Sequence, residues 1–138
     1  FNEIEEPFKY VDTSFNQIYL QYSILLNNPT FTIINRSIFN YEGSNPCGYN
    51  FGKVFIKNYL DILNYFTRYG LKQSLISQDK LKILHSTILP WYKRIIDNKI
   101  DIDIENFEGY FTEYYKDEPY FEATLNSINN IKAAAEGL

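Results

Sequence analysis

Three groups of side chains in this 138-residue sequence have types and spacings that chemistry can use. The first is Asp12, in Asp12-Thr13-Ser14 directly ahead of an apolar run. A carboxylate at a helix N-terminus is held ionised by free backbone N–H groups and the helix dipole. So placed, Asp12 can take a proton from a bound hydroxyl, as a general base. An ordinary helix cap reads the same way in sequence. The second group is the acidic stretch 97–118, with Asp97, Asp101, Asp103, Glu105, Glu108, Glu113, Asp117 and Glu118 against Lys99 and Lys116. Asp101, Asp103 and Glu105 offer hard oxygen ligands of the kind Mg²⁺, Mn²⁺ or Ca²⁺ takes. The same acids also suit a solvated loop leading into a helix.

The third group is a single histidine and a single cysteine. His85 falls between the apolar positions of its helix and reads as structural or solvent-facing. Cys47 lies in a Gly/Pro turn with no neighbouring histidine, and one cysteine excludes both an internal disulfide and a cysteine zinc site. Asn35-Arg36-Ser37 is a formal glycosylation acceptor. Gly43, Gly48 and Gly52 make no phosphate loop, because no Lys-Ser or Lys-Thr pair follows them.

Composition narrows the classes further. With 45% hydrophobic residues and a net charge of −4, the chain is neither disordered nor a basic nucleic-acid-coating surface, so nucleic acid is excluded as a partner. No apolar run reaches the ~20 residues of a membrane span. Phe, Tyr, Asn, Ile and Lys supply 67 of the 138 residues, the signature of an AT-rich genome, so the 18% aromatic content is no direct sign of a stacking surface. The chain opens at Phe1 and lacks methionine, which reads as a fragment or processed product.

These side chains need elements to position them. The spacing of Phe15, Ile18, Tyr19, Tyr22 and Leu26 predicts a helix begun by Asp12-Thr13-Ser14 and stopped at Asn27-Asn28-Pro29. Residues 30–41 read as extended, with Phe31, Ile33, Phe39 and Tyr41 on one parity. A second helix carries Ile56, Tyr59, Leu60, Leu63 and Phe66 and ends at Gly70. A third, capped by Ser77-Gln78-Asp79, carries Leu81, Leu84, Ile88, Trp91 or Tyr92, and Ile95, and Pro90 should kink or split it. Residues 103–115 and 118–135 give weaker helical patterns, with Pro119 suited to a first turn. The expected fold is mainly α, at least four helices with a short β element near the N-terminus. The expected organisation is one mostly helical domain or fragment over 1–138: helix and strand over 1–45, a turn-rich linker over 46–52, and a helical region over 53–138.

The run Tyr10-Val11-Asp12-Thr13-Ser14-Phe15, the apolar helix after it, and Asn35, Ser37, Ile38 and Tyr41 at the end of the extended stretch together resemble part of the family 2 glycosyltransferases. The resemblance covers about residues 8–45 by motif and the rest by character. It implies the acceptor-side C-terminal region of a sugar-nucleotide-dependent enzyme of polysaccharide biosynthesis, itself the later half of a larger α/β protein. Asp12 then stands where the family's general base stands, although Val11 replaces the usual glutamate before it. The resemblance places the nucleotide-binding half, with its Mg²⁺ or Mn²⁺, upstream, so this chain holds no cofactor and is inactive alone. It implies a sugar acceptor as partner, a cytoplasmic location and a peripheral membrane contact through Lys53, Phe55, Ile56 and Lys57. The competing expectation is a non-catalytic helical domain that binds a protein partner. Oligomeric state is not legible in the sequence.

Overall fold

A computed structural model of the chain describes residues 6–30, 48–97, 99–135 and 137. Among these residues the protein is mainly helical, with five helices and no strand. They are α1 (Asn16–Asn27), α2 (51–69), α3 (73–96), α4 (Phe107–Tyr115) and α5 (Phe121–Ala135). The expected β element over residues 30–41, the Asn35 triplet and Cys47 lie outside the described residues, Thr30 apart. The one extended pairing described is an isolated parallel bridge between Asn50 and Asp103.

α2 is the central element, buried on more than one side. Ile56, Leu60 and Leu63 join the main core with Phe51, Ile76, Leu84, Ile88, Tyr92, Ile95, Ile102, Phe107, Phe111, Tyr115 and Ile128. Ile62, Tyr65 and Phe66 form a second, smaller core with Tyr19 of α1. A helix apolar around most of its circumference has to be covered on several faces, and α1, α3 and α4 do this. α2 changes pitch along its length: π-helical over Lys53–Asn58, α-helical over Tyr59–Tyr65 and 3₁₀ over Phe66–Tyr69. Gly70 ends it at φ +95°, a left-handed conformation that glycine adopts without a Cβ penalty. The apolar stripe and the stop at Gly70 agree with the sequence spacing.

Several expected boundaries move. α2 starts at Phe51, so the expected linker gives up its last two residues to a helix, and Phe51 is fully buried. α3 starts at Gln73 after Lys72, which places Ser77, Gln78 and Asp79 inside the helix rather than at its cap. Tertiary packing of Ile76 and Leu84 extends the helix beyond that local cap signal. Pro119 lies in the turn before α5 and not in its first turn, since Phe121 is the first helical residue.

Pro90 neither ends α3 nor divides it. The helix widens to an i→i+5 turn over Leu84–Ile88, with the Leu89 N–H donating to the Leu84 carbonyl, and continues as α-helix over Leu89–Ile96. Proline in a regular helix interior costs ~3 kcal/mol, through a lost hydrogen bond and a clash with the carbonyl four residues back. Widening the turn eases that clash. Burying Ile88, Tyr92 and Ile95, at roughly 1.5–3 kcal/mol each, outweighs what remains. Leu81 and Trp91, the other expected stripe positions, stay exposed.

Candidate functional site

Asp12 does not sit at the start of α1. It lies in a short 3₁₀ turn, Val11–Thr13, followed by Ser14 in a left-handed conformation at φ 62°. α1 begins four residues later, behind Phe15, without a side-chain cap. Thr13 is what ties the turn: its hydroxyl donates to the Tyr10 carbonyl at 2.7 Å and accepts the Phe15 N–H at 3.3 Å. The turn is fixed to the core because Asn58 donates to the Thr13 carbonyl at 3.0 Å and Phe15 meets the rings of Phe55 and Tyr59 edge-on. Thr13, and not Asp12, makes the local hydrogen bonds of this turn. The Asp12 carboxylate is exposed and has no hydrogen-bond partner among the described residues. It lines none of the hollows found beside α1 or beside the acidic stretch.

The acids of residues 97–118 are dispersed by the backbone. Asp101 and Asp103 alternate along an extended segment and face different hollows, of about 420 and 710 Å³. Among the described residues no three acid, histidine or cysteine side chains converge as metal ligands, so Asp101, Asp103 and Glu105 are not brought together. Asp103 instead accepts the Glu105 N–H at 2.7 Å and the Asn50 amide at 2.9 Å, and both bonds hold its carboxyl below the usual range. With the Phe51 N–H donating to the Asp103 carbonyl at 2.8 Å, these bonds pin the entry of α2 to the loop before α4. Asp97 is bridged by Lys99 and Lys93, which lower its pKa, and Glu108 is paired with Lys132. His85 is exposed, in the widened turn of α3. Ile56 is fully buried and Phe55 packs against the rings of Phe15, Tyr49 and Phe51. The stretch from Lys53 to Lys57 therefore turns its apolar side inward. No helix among the described residues is long and apolar enough to cross a membrane.

The surface that stands out is on the other side of α2. Ile24, Leu25 and Leu26, the end of α1, are 52%, 37% and 46% exposed. A helix advances about 100° per residue, so three consecutive apolar residues cannot all face one core. Two hollows lie along α1, the first lined in part by Leu26 and the second by Tyr22. One, of about 300 Å³, runs between α1 and the end of α2 and is lined by Tyr19, Ser23, Leu26, Tyr65, Phe66 and Tyr69, among others. The other, of about 320 Å³, is lined by Tyr22, Leu63, Leu71, Leu75, Asp79 and Lys82, among others. The Tyr22 and Phe66 rings, 5.2 Å apart, form the partition between them.

The floor of this face is aromatic. Tyr10, Tyr19, Tyr65 and Phe66 meet at centroid separations of 5.0–5.9 Å, and burial pushes the Tyr19 phenol up to about 12. The Arg68 guanidinium stacks over Tyr65 at 3.9 Å. The sequence reading missed this face. The signal for it was Ile24-Leu25-Leu26 itself, one apolar residue more than a single helical stripe accommodates.

Compared with family models, curated proteins and solved structures, the chain finds no match in any of the three.

Proposed function

We propose that this chain acts as a non-catalytic helical domain that binds a protein partner through the end of α1. The observation that carries the reading is the exposed run Ile24-Leu25-Leu26, whose Leu26 lines an aromatic-walled hollow between α1 and the end of α2. Apolar side chains contiguous on a surface cost solubility, and such patches mark interaction sites. A test is selection of an unconstrained random-peptide display library on the folded chain. Enriched peptides should bind the wild type and Asp12→Asn equally, and lose binding to Leu26→Ser. Enrichment of no sequence family, or equal binding to Leu26→Ser, would remove the reading.

A second reading keeps the acceptor-side glycosyltransferase region. It is favoured by the Tyr10-to-Tyr41 resemblance and by the open Asp12 carboxylate, which is not sealed into its own turn. In that reading Asp12 takes the proton of a sugar acceptor hydroxyl, and the donor sugar nucleotide with its Mg²⁺ or Mn²⁺ is held by a separate, upstream half. Its test is sugar transfer by the complete natural polypeptide. Asp12→Asn should abolish turnover while acceptor binding persists. Undiminished turnover would dismiss it.

A further inference from the structure

We infer that the face at the end of α1 docks a partner's amphipathic helix whose flank carries acidic side chains. This inference rests on the interaction reading and names the partner's chemistry. Three observations lead to it. The first is shape: two hollows of similar size stand side by side, parted by the Tyr22–Phe66 ring pair, each with an exposed leucine on its wall, Leu26 in one and Leu75 in the other. Paired apolar recesses accept large side chains projecting from one face of a helix.

The second observation is charge. α1 contains no charged residue. Residues 66–82, which form the rest of the face, contribute Arg68, Lys72, Lys80 and Lys82 and a single acid, Asp79. Lys80 is buried against Glu118, and Asp79 already accepts the Tyr59 hydroxyl at 2.5 Å. Arg68, Lys72 and Lys82 are exposed and form no salt bridge among the described residues, Arg68 acting at longer range on Glu6 and Lys82 lining the second hollow. A cationic rim on a chain whose net charge is −4 is complementary to acidic groups on a partner.

The third observation decides between a peptide and a lipid surface. Leu26 and Leu75 line recesses, and Ser23, Asn27, Gln78 and Asp79 line them too, while Ile24 and Leu25 line neither. An anionic bilayer is better met by an acid-free rim, which Asp79 denies it here. Recessed sites with polar edges favour a helix that inserts its own anchors.

The experiment uses a display library of amphipathic helical peptides, with the apolar face varied among Leu, Ile, Phe and Trp and the flanks varied among Glu, Gln and Lys. Selection on the folded chain should enrich Glu-flanked helices. Lys72→Glu with Lys82→Glu should weaken the enriched peptides about tenfold or more and flatten their salt dependence. These positions are exposed, so an unchanged circular dichroism spectrum confirms that the variant is folded. Enrichment of Gln- or Lys-flanked helices, or of peptides that bind without helix, overturns this inference while the interaction reading stands. Enrichment of nothing overturns both. Binding to phosphatidylserine vesicles, lost in the same double variant, would assign the face to a bilayer and also overturn it.

Discussion

The Lys80 ammonium lies 2.6 Å from the Glu118 carboxylate, with each side chain only about one-tenth exposed. The pair joins α3 to the turn between α4 and α5. Ser77 donates to the same carboxylate oxygen at 3.4 Å, the Lys80 ammonium stands over the Tyr115 ring at 5.1 Å, and Tyr115 donates to the Lys80 carbonyl. Removing one member of a buried ion pair leaves an uncompensated charge and costs about 3–5 kcal/mol, whereas replacing both with apolar groups is often neutral. Lys80→Met alone should therefore lower the urea midpoint sharply, and Lys80→Met with Glu118→Leu should recover most of the loss. Additive losses in the double variant would show that the two charges do not depend on each other.

Gly52 sits where α2 meets α4. A Cβ there would stand 3.1 Å from the Phe107 Cα and 3.0 Å from the Tyr110 ring. The Phe107 backbone cannot yield cheaply, so Gly52→Ala should destabilise by about 1–3 kcal/mol despite alanine's better helix propensity. Thermal denaturation showing an unchanged or higher midpoint would refute the close approach.

Tyr92 is fully buried and stacked on Phe107 at 4.2 Å, and its hydroxyl has no hydrogen-bond partner among the described residues. A buried unsatisfied hydroxyl costs ~1–3 kcal/mol. Tyr92→Phe keeps the ring and removes that cost, so it should raise stability by about 1 kcal/mol in denaturant titration. A loss of stability would mean that the hydroxyl is satisfied.

Burial holds the phenols of Tyr92, Tyr19 and Tyr120 at about 12, against an ordinary value near 10, and pushes those of Tyr59 and Tyr115 higher still. Raised values mean that the folded chain favours the protonated phenol. That contribution to stability is complete below pH 10 and falls as pH rises from about 10 towards 12. Tyrosinate absorbance should therefore appear in two stages, exposed phenols first and buried ones together with alkaline unfolding. One uniform transition near pH 10 for all 13 tyrosines would contradict this.

Asp12 is exposed and makes no hydrogen bond among the described residues, so Asp12→Asn should leave stability within about 0.5 kcal/mol of the wild type. Thr13→Ala, by contrast, removes the hydroxyl that closes the turn and should cost about 1 kcal/mol. Equal losses by calorimetry would return the capping role to Asp12.

The mainly helical class, the stripe of α2 and its stop at Gly70 were legible in the sequence, because helical periodicity and a left-handed terminus are local properties. Ile56, Leu60, Leu63 and Phe66 could be placed inward from spacing alone. What α2 carries on its other side, Ile62 and Tyr65, depends on α1 arriving to cover it, and spacing within one helix cannot show that. Tertiary contacts also decided between Trp91 and Tyr92, carried α3 through Pro90, and separated Asp101 from Asp103 by giving each a different neighbour. Lys80 and Glu118 stand 38 residues apart and look like ordinary surface charges until packing closes over both. Local backbone preference fixed which segments coil. Which charges are buried, which apolar residues stay exposed, and which acids stand alone were set by contacts between segments distant in sequence, whose energies no single segment contains.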